Sequence, residues 1–436
     1  MRLNFDLCAM ILFGLCAMIL AVNHFVTMLK ATRFRICPTA TQRLHFRRSF
    51  DCFRFAYNFA LNLVNDTYKK TGKGLGRFAI QKAITELKKE YEWMSEPYSQ
   101  CLQVVALNLS REFINFFERR AGYPSFKSKY GRQSINYPQN VKVLDGYIKF
   151  PKIGKIDAVI HRNIEDTVKI VTVLMDSKGQ SFVSVLVDDG KDTPSQSIDG
   201  KAVGIDLGLN HFAVTSDGYK FDNPCCLAKH ENNLKQKQRR LSRRQKGSNN
   251  RNKTRRQVAT VHNKIARCRE DFHHKLSRRI VDETQVIVVE NLAVRNMMKN
   301  RCLAKSIGQV SWGQFCAMFK YKSEEEGKVY VEVDRFFPSS KTRDLCLKRV
   351  NSFPLDIRFW QCDKCGTRND RDINAAINIR DEGLRILTSG TGDSAYCLAV
   401  RRGSKGESLL LLCGLLDRDL CPVGRSSSPV APIFPP

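Results

Sequence analysis

Three carboxylates stand at the ends of apolar runs. Ala202-Val-Gly-Ile-Asp206 carries Asp206 on an apolar strand, with Gly208 just beyond it. An ionised carboxylate in such a place is costly unless it is paired or holds a cation. Gln285-Val-Ile-Val-Val-Glu290 repeats the pattern: a β-branched run fit for a central strand ends on an acid. Asn369-Asp370-Arg371-Asp372-Ile-Asn374-Ala-Ala-Ile-Asn378 then places acids where a helix of small and apolar residues should begin. Ala375 and Ala376 would let that helix lie close on a sheet. Oxygen ligands of this kind suit hard cations such as Mg²⁺, which keep several waters. Two such ions would activate water and stabilise the leaving oxygen of a phosphodiester. Each signal is weak alone, because an Asp at a strand end is often a turn residue.

Sulfur offers a second ligand set. Sixteen cysteines are scattered through a large basic chain, with one tight Cys-x-x-Cys pair, Cys362 and Cys365, and Cys346 upstream of it. That pattern reads as a reducing compartment with a metal site rather than as a secreted disulfide framework. Cys52, Cys101 and Cys316 read as small buried hydrophobes.

The charge balance points to the partner. Against 43 acids the 436 residues carry 72 Lys plus Arg, a net of +29, which would concentrate a polyanion around the protein. A membrane surface is the rival, but an apolar content of 42% spread over mixed helical and strand patterns reads as globular. Residues 229–279 hold 18 Lys plus Arg and only Glu231, Glu270 and Asp271. With so few acids for i,i+4 pairing, these charges repel one another unless phosphates lie alongside. Arg239, Arg240, Arg243, Arg244, Arg251, Lys253, Arg255 and Arg256 are therefore the candidate nucleic-acid contacts.

Periodicity supplies the elements that would position these groups. Residues 30–36 alternate like a half-buried strand that stops at Pro38, residues 41–70 have helical spacing, and further amphipathic helices are expected near 80–92 and 98–120. Strands follow at 141–143, 147–150, 155–160, 168–175 and 181–187. Short strands so spaced suggest a β-barrel whose first strand precedes the helices, over residues 28–45 and 121–190, with a helical recognition lobe at 46–120. Residues 189–200 read as a linker, after which strand-strand-helix-strand-helix order marks an α/β domain at 201–338 and 369–387. Residues 1–27 include an apolar run with Leu-Cys-Ala-Met-Ile-Leu repeated at 7–12 and 15–20. The run is short for a membrane span. A translated upstream repeat explains the duplication better than a signal peptide, so the extension is expected to lie outside the fold. The Ser/Pro-rich end, 388–436, is expected to be disordered.

The order of these motifs, together with Phe337-Pro-Ser-Ser-Lys-Thr, Cys362-x-x-Cys365-Gly and Pro124-Ser-Phe-Lys127, resembles the TnpB family, also called OrfB, over residues 28–387. Insertion sequences encode these proteins, which are related to type V CRISPR effectors. The resemblance implies an RNase H-like RuvC nuclease fold with Asp206, Glu290 and Asp372 as catalytic, Mg²⁺-holding acids. Asp370 is the less favoured neighbour. It also implies a guide RNA from the same transposon locus, a target DNA, and two-metal hydrolysis by a cytoplasmic, nucleoid-associated enzyme without membrane or small-molecule partners. In a comparable RNA-guided system base pairing reads the sequence, while protein reads an adjacent motif and backbone shape. The alternative is a cleavage-defective, RNA-guided DNA-binding protein from a decaying transposon copy. An actin-like ATPase, which also opens on Gly-Ile-Asp-Leu-Gly, would need later Gly-rich phosphate loops, and the sequence shows none.

One position departs from the family pattern. The family has a Cys-x-x-Cys after Ser-Ser-Lys-Thr, completing a four-thiolate zinc site with the later pair. Here Arg343 occupies the first of those positions, leaving Cys346, Cys362 and Cys365 in a degenerate zinc-finger insertion at 339–368. Weak zinc binding or none is expected.

Overall fold

The computed structural model describes residues 27–164, 166–192, 194–350 and 358–390. The N-terminal extension, apart from Thr27, and residues 391–436 of the expected tail lie outside them. The described residues up to 386 cluster as one compact unit; of the second unit only the last helical residues, 387–390, are described. No described helix is long and apolar enough to cross a membrane.

β1 (Thr27–Cys37) buries Phe34 and Ile36 and exposes Arg33 and Arg35, as a period of two requires. Thr39 then caps α1 (Ala40–Thr71) in a reciprocal box with Gln42, and Gly72 ends the helix at φ 67°. α2 (Arg77–Glu90) and α3 (Ser99–Phe117) follow. β2 (Gln133–Tyr137), β3 (Lys142–Leu144), β4 (Tyr147–Phe150), β5 (Gly154–Val159), β6 (Thr167–Met175) and β7 (Ser181–Asp192) join β1 in a sheet of order β2-β6-β7-β1-β5-β4-β3, antiparallel throughout.

This sheet corrects the expectation of a closed barrel, since its edge strands β2 and β3 do not pair with each other. Helices bury its apolar face instead. Phe46 of α1 packs edge-on against Phe150 of β4, and Tyr98, at the start of α3, stacks on Tyr137 of β2. With that face already dry, closure has no further apolar surface to hide.

The second sheet is built from β8 (Ala202–Asp206), β9 (His211–Thr215), β10 (Lys220–Asp222), β11 (Val286–Glu290) and β12 (Val329–Val333), in the order β10-β9-β8-β11-β12. β8, β11 and β12 are parallel, whereas β8-β9 and β9-β10 are antiparallel. Between β10 and β11 run α4 (Cys226–Ser242) and α5 (Asn249–Glu283), joined by a Cys226–Cys268 disulfide. The sequence had suggested unpaired cysteines. α6 (Val294–Met297), α7 (Ala304–Val310) and α8 (Trp312–Glu325) precede β12; the hairpin of β13 (Phe359–Gln361) and β14 (Arg368–Asp370) leads into α9 (Arg371–Gly390).

Strand parity divides the sheet into two faces. Val203, Ile205, Ile287 and Val289 share a core with Leu276 and Ile280 of α5 and Phe315 and Phe319 of α8. Gly204 and Val288, one residue out of phase, face α9 on the other side. A Cβ on Gly204 would stand 2.0 Å from the Ala376 carbonyl oxygen, and one on Gly383 would stand 2.3 Å from Val288 Cγ1. The helix therefore lies almost against the strands, as Ala375 and Ala376 had suggested.

Candidate active site and nucleic-acid interface

The close approach of α9 determines where the three acids meet. Val289 pairs with Ile205, so Glu290 and Asp206 end adjacent parallel strands side by side. Such neighbours are about 4.8 Å apart. Asp206 lies two residues past Gly204 and Glu290 two past Val288, so both side chains project to the α9 face. Asp372 lies one turn before Ala376 on that helix and so stands above the same strand ends.

The electrostatics agree. Burial raises the Asp206 carboxyl to about 7, with Asp372 and Glu290 adding repulsion and Arg371 and Arg358 opposing it. Burial alone raises Glu290 to about 6. The set is rich in oxygen ligands, and Arg371 and Arg358 offset its charge only in part, which fits a hard divalent cation. It is not a tightly drawn cage: among the described residues, the only group of candidate ligand atoms all within 4.8 Å of one another is Cys346, Cys362 and Cys365.

Asp370 has other work. Its Oδ1 accepts the backbone N–H groups of Asp372 (3.1 Å) and Ile373 (3.3 Å), capping α9, and its Oδ2 meets Lys220 Nζ at 2.5 Å. Asp372 is paired instead with Arg358, 2.9 Å away. Asn374 and Asn378, read from the sequence only as part of a motif, are buried anchors. Asn374 Nδ2 donates to Thr342 O (2.7 Å), and Asn378 Nδ2 donates to Ser339 O (2.7 Å) and Thr342 O (2.6 Å). The Ser-Ser-Lys-Thr segment is thereby strapped to α9. Their i,i+4 spacing was the signal for a shared face.

Cys346, Cys362 and Cys365 form a cluster, here called the knuckle, with their sulfurs within 4.8 Å of one another. Cys346 and Cys362 sulfurs are 3.7 Å apart. Hydrogen bonds from the Thr367 side chain and backbone, joined by Cys362 and Arg343, hold the Cys365 thiol down at about 6.

Of the candidate nucleic-acid contacts, Arg239 and Arg240 end α4, Arg243 and Arg244 lie in the turn, and Lys253, Arg255 and Arg256 stand on α5. All seven are exposed and none forms an ion pair with a described residue. Arg251 differs: its Nη1 donates to the carbonyls of Leu241 and Arg244, both at 2.9 Å, closing the hairpin. The structure adds groups that the charge run did not show. A cavity of about 780 Å³ between the first sheet and α5 is lined by Arg33, Arg47, Lys129, Arg132, Arg255 and Arg256. Beside it, the Phe182 ring receives Arg33 at 4.3 Å and Arg267 at 5.9 Å. Arg33 was detectable as the exposed partner of Phe34 on an alternating strand; Arg132 and Lys129 carried no comparable signal.

Residues 182–301 match a family model described as "Probable transposase", and residues 312–379 match "Cas12f1-like, TNB domain". A "Helix-turn-helix domain" model matches 28–73, which here form β1 and a single long helix. A protein of Streptomyces pristinaespiralis named as an RNA-guided DNA endonuclease is 38% identical over 370 residues, covering 83% of this chain and 91% of that one. The chain belongs to the TnpB family. A second member of it, Escherichia coli InsQ, also named as an RNA-guided DNA endonuclease, is 29% identical over 83% of this chain and 94% of its own. Among solved structures, Cas12f1 with its sgRNA and target DNA aligns with a TM-score of 0.52 at 16% identity, over 79% of this chain and 83% of that one. That likeness is one of fold.

Proposed function

We propose that the chain is an RNA-guided DNA endonuclease whose reaction centre is Asp206, Glu290 and Asp372. The observation that carries the reading is the convergence of three acids from two strand ends and a helix start, two of them held above the usual carboxylate range by burial. Divalent cations held by these carboxylates would supply an activated water and stabilise the leaving oxygen. The protein's own part is placement. The sheet fixes Asp206 and Glu290, the Asp370 cap fixes the start of α9, and Arg358 orients Asp372. The exposed arginines of the hairpin and of the cavity beside it would hold RNA and DNA backbones, and the guide would come from the chain's own transposon locus. Such an enzyme would act at the chromosome, in the cytoplasm.

Asp206→Ala or Glu290→Ala should abolish Mg²⁺-dependent cleavage of a guide-matched DNA while leaving RNA retention nearly unchanged. Cleavage by either variant at the parental rate would remove these acids from the reaction.

A further inference from the structure

The family resemblance implies zinc at the knuckle, and the residues present do not fit it. A structural zinc site is closed by four ligands. Among the described residues the cluster offers three, Cys346, Cys362 and Cys365. The position of the missing thiol belongs to Arg343, which is 2% exposed. A guanidinium has no lone pair to give a metal and stays charged. Zinc would meet a fixed cation where its fourth ligand should be.

Arg343 is not a stray lesion, because its charge is built into the packing. It is ion-paired with Asp344, and its Nη1 donates to Asn374 Oδ1 at 3.2 Å. The same Asn374 oxygen accepts the backbone N–H of Asp344 at 3.1 Å. The turn is closed by Arg343 N to Lys348 O and Leu347 N to Arg343 O, both 2.9 Å, and the facing turn by Gly366 N to Cys362 O at 2.7 Å. Lys348 then reaches across to Asp363 at 2.5 Å. Both halves of the knuckle are therefore joined without a metal, and Arg343 links them to an asparagine two residues beyond Asp372.

We propose that the buried Arg343 guanidinium takes the place of zinc, bracing the three-thiol knuckle against α9 as a metal-free positioning element for Asp372. The positioning part rests on the reading of Asp372 given above; the replacement of zinc does not. The Asp344 carboxylate and the Asn374 amide oxygen make the exchange physically reasonable, since a buried cation is tolerated when it is paired and hydrogen-bonded.

The test uses the full chain, purified under reducing conditions without chelator, and three variants: Arg343→Ala, Arg343→Lys and Arg343→Cys. The parent should hold far less than one zinc per chain and melt at the same temperature with or without EDTA. Arg343→Cys should retain close to one zinc and melt lower when EDTA removes it. Arg343→Ala should gain no zinc, melt below the parent, and need severalfold more Mg²⁺ for half-maximal cleavage, with RNA binding unchanged. Zinc-loaded Arg343→Cys should recover the parental Mg²⁺ requirement, whereas Arg343→Lys, which lacks the planar fork, should recover it only in part. If Arg343→Ala fails to fold, a zinc-dependent fold in Arg343→Cys supports the replacement just as directly. Stoichiometric zinc on the parent cysteines would overturn the proposal, as would an Arg343→Ala protein that melts and cleaves like the parent. A parent that cuts nothing would count against the endonuclease reading, and the zinc and melting results would still decide this one.

Discussion

Asp206 and Glu290 show what the site costs the fold. Their carboxyls, pushed to about 7 and about 6, are easier to protonate in the folded chain than in the unfolded one. The pair therefore adds stability that is fully present below about pH 4 and is lost as pH rises through 6 to 7. Without metal, Asp206→Asn should consequently melt higher than the parent at pH 8 but not at pH 4. At about 1.4 kcal/mol per pH unit, shared between coupled groups, the gain is on the order of 1–3 kcal/mol, or several degrees. Thermal melts in EDTA at the two pH values decide it; a variant no more stable than the parent at pH 8 would mean that the buried charge is already neutralised. Two of these acids were legible from the sequence because an acid on a β-branched run violates the apolar pattern. The choice between Asp370 and Asp372 was not, because either can start a helix and only the hydrogen bonds show which one caps it. Nor could Arg358 be found, since a partner fourteen residues away leaves no periodic trace.

At the scale of elements, α9 is the part on which the site depends. Its spacing from the strands is set by the missing side chains of Gly204 and Gly383 and the small one of Ala376, and the acid it carries stands one turn beyond that close approach. Gly204→Ala forces a methyl into backbone atoms of the helix, namely the Ala376 carbonyl and the Arg380 nitrogen. Overpacking of this kind costs about 1–3 kcal/mol and is relieved by moving the helix outward. We therefore expect a lower melting temperature together with a loss of cleavage larger than the loss of folded protein, because Asp372 moves with the helix. Folded fraction by circular dichroism and cleavage rate on the same sample separate the two effects; a rate that falls only in step with the folded fraction would show that the site tolerates the shift. Alternation and helical spacing made most strands and helices of both sheets readable. Closure of the first sheet was not readable, because a strand's period reports which face is dry and not what covers it. β2 was missed because only Ile135 and Tyr137 mark its apolar side.

Among the described residues basic charge is concentrated in two places, and only one is visible as a run in the sequence. The hairpin tip carries Arg239, Arg240, Arg243 and Arg244 in the open. The second place is assembled by folding. Arg33 comes from β1, Lys129 and Arg132 from the approach to β2, and Arg255, Arg256 and Arg267 from α5, while Asn263 ties α5 to Asp176 in the β6–β7 turn at 3.0 Å. Like charges gathered from three parts of a chain repel unless an anion is to lie among them, and Arg33, Arg267 and Arg255 lie over the Phe182 and Tyr130 rings rather than in ion pairs with described acids. Neutralising the tip set to Gln should lower the log–log slope of RNA binding against salt by about 0.7 for each phosphate that is no longer neutralised. Neutralising Arg33, Arg255, Arg256 and Arg267 should lower it by a similar amount, and the two reductions should add if the sites touch different stretches of backbone. Binding titrations from low to moderate salt on the two variants and their combination measure all three slopes. An unchanged slope in the second variant would mean that its arginines serve only to pack α5 against the first sheet. A combined reduction no larger than either alone would place both sets on the same phosphates, which their separation between an exposed turn and the junction of sheet and helix argues against.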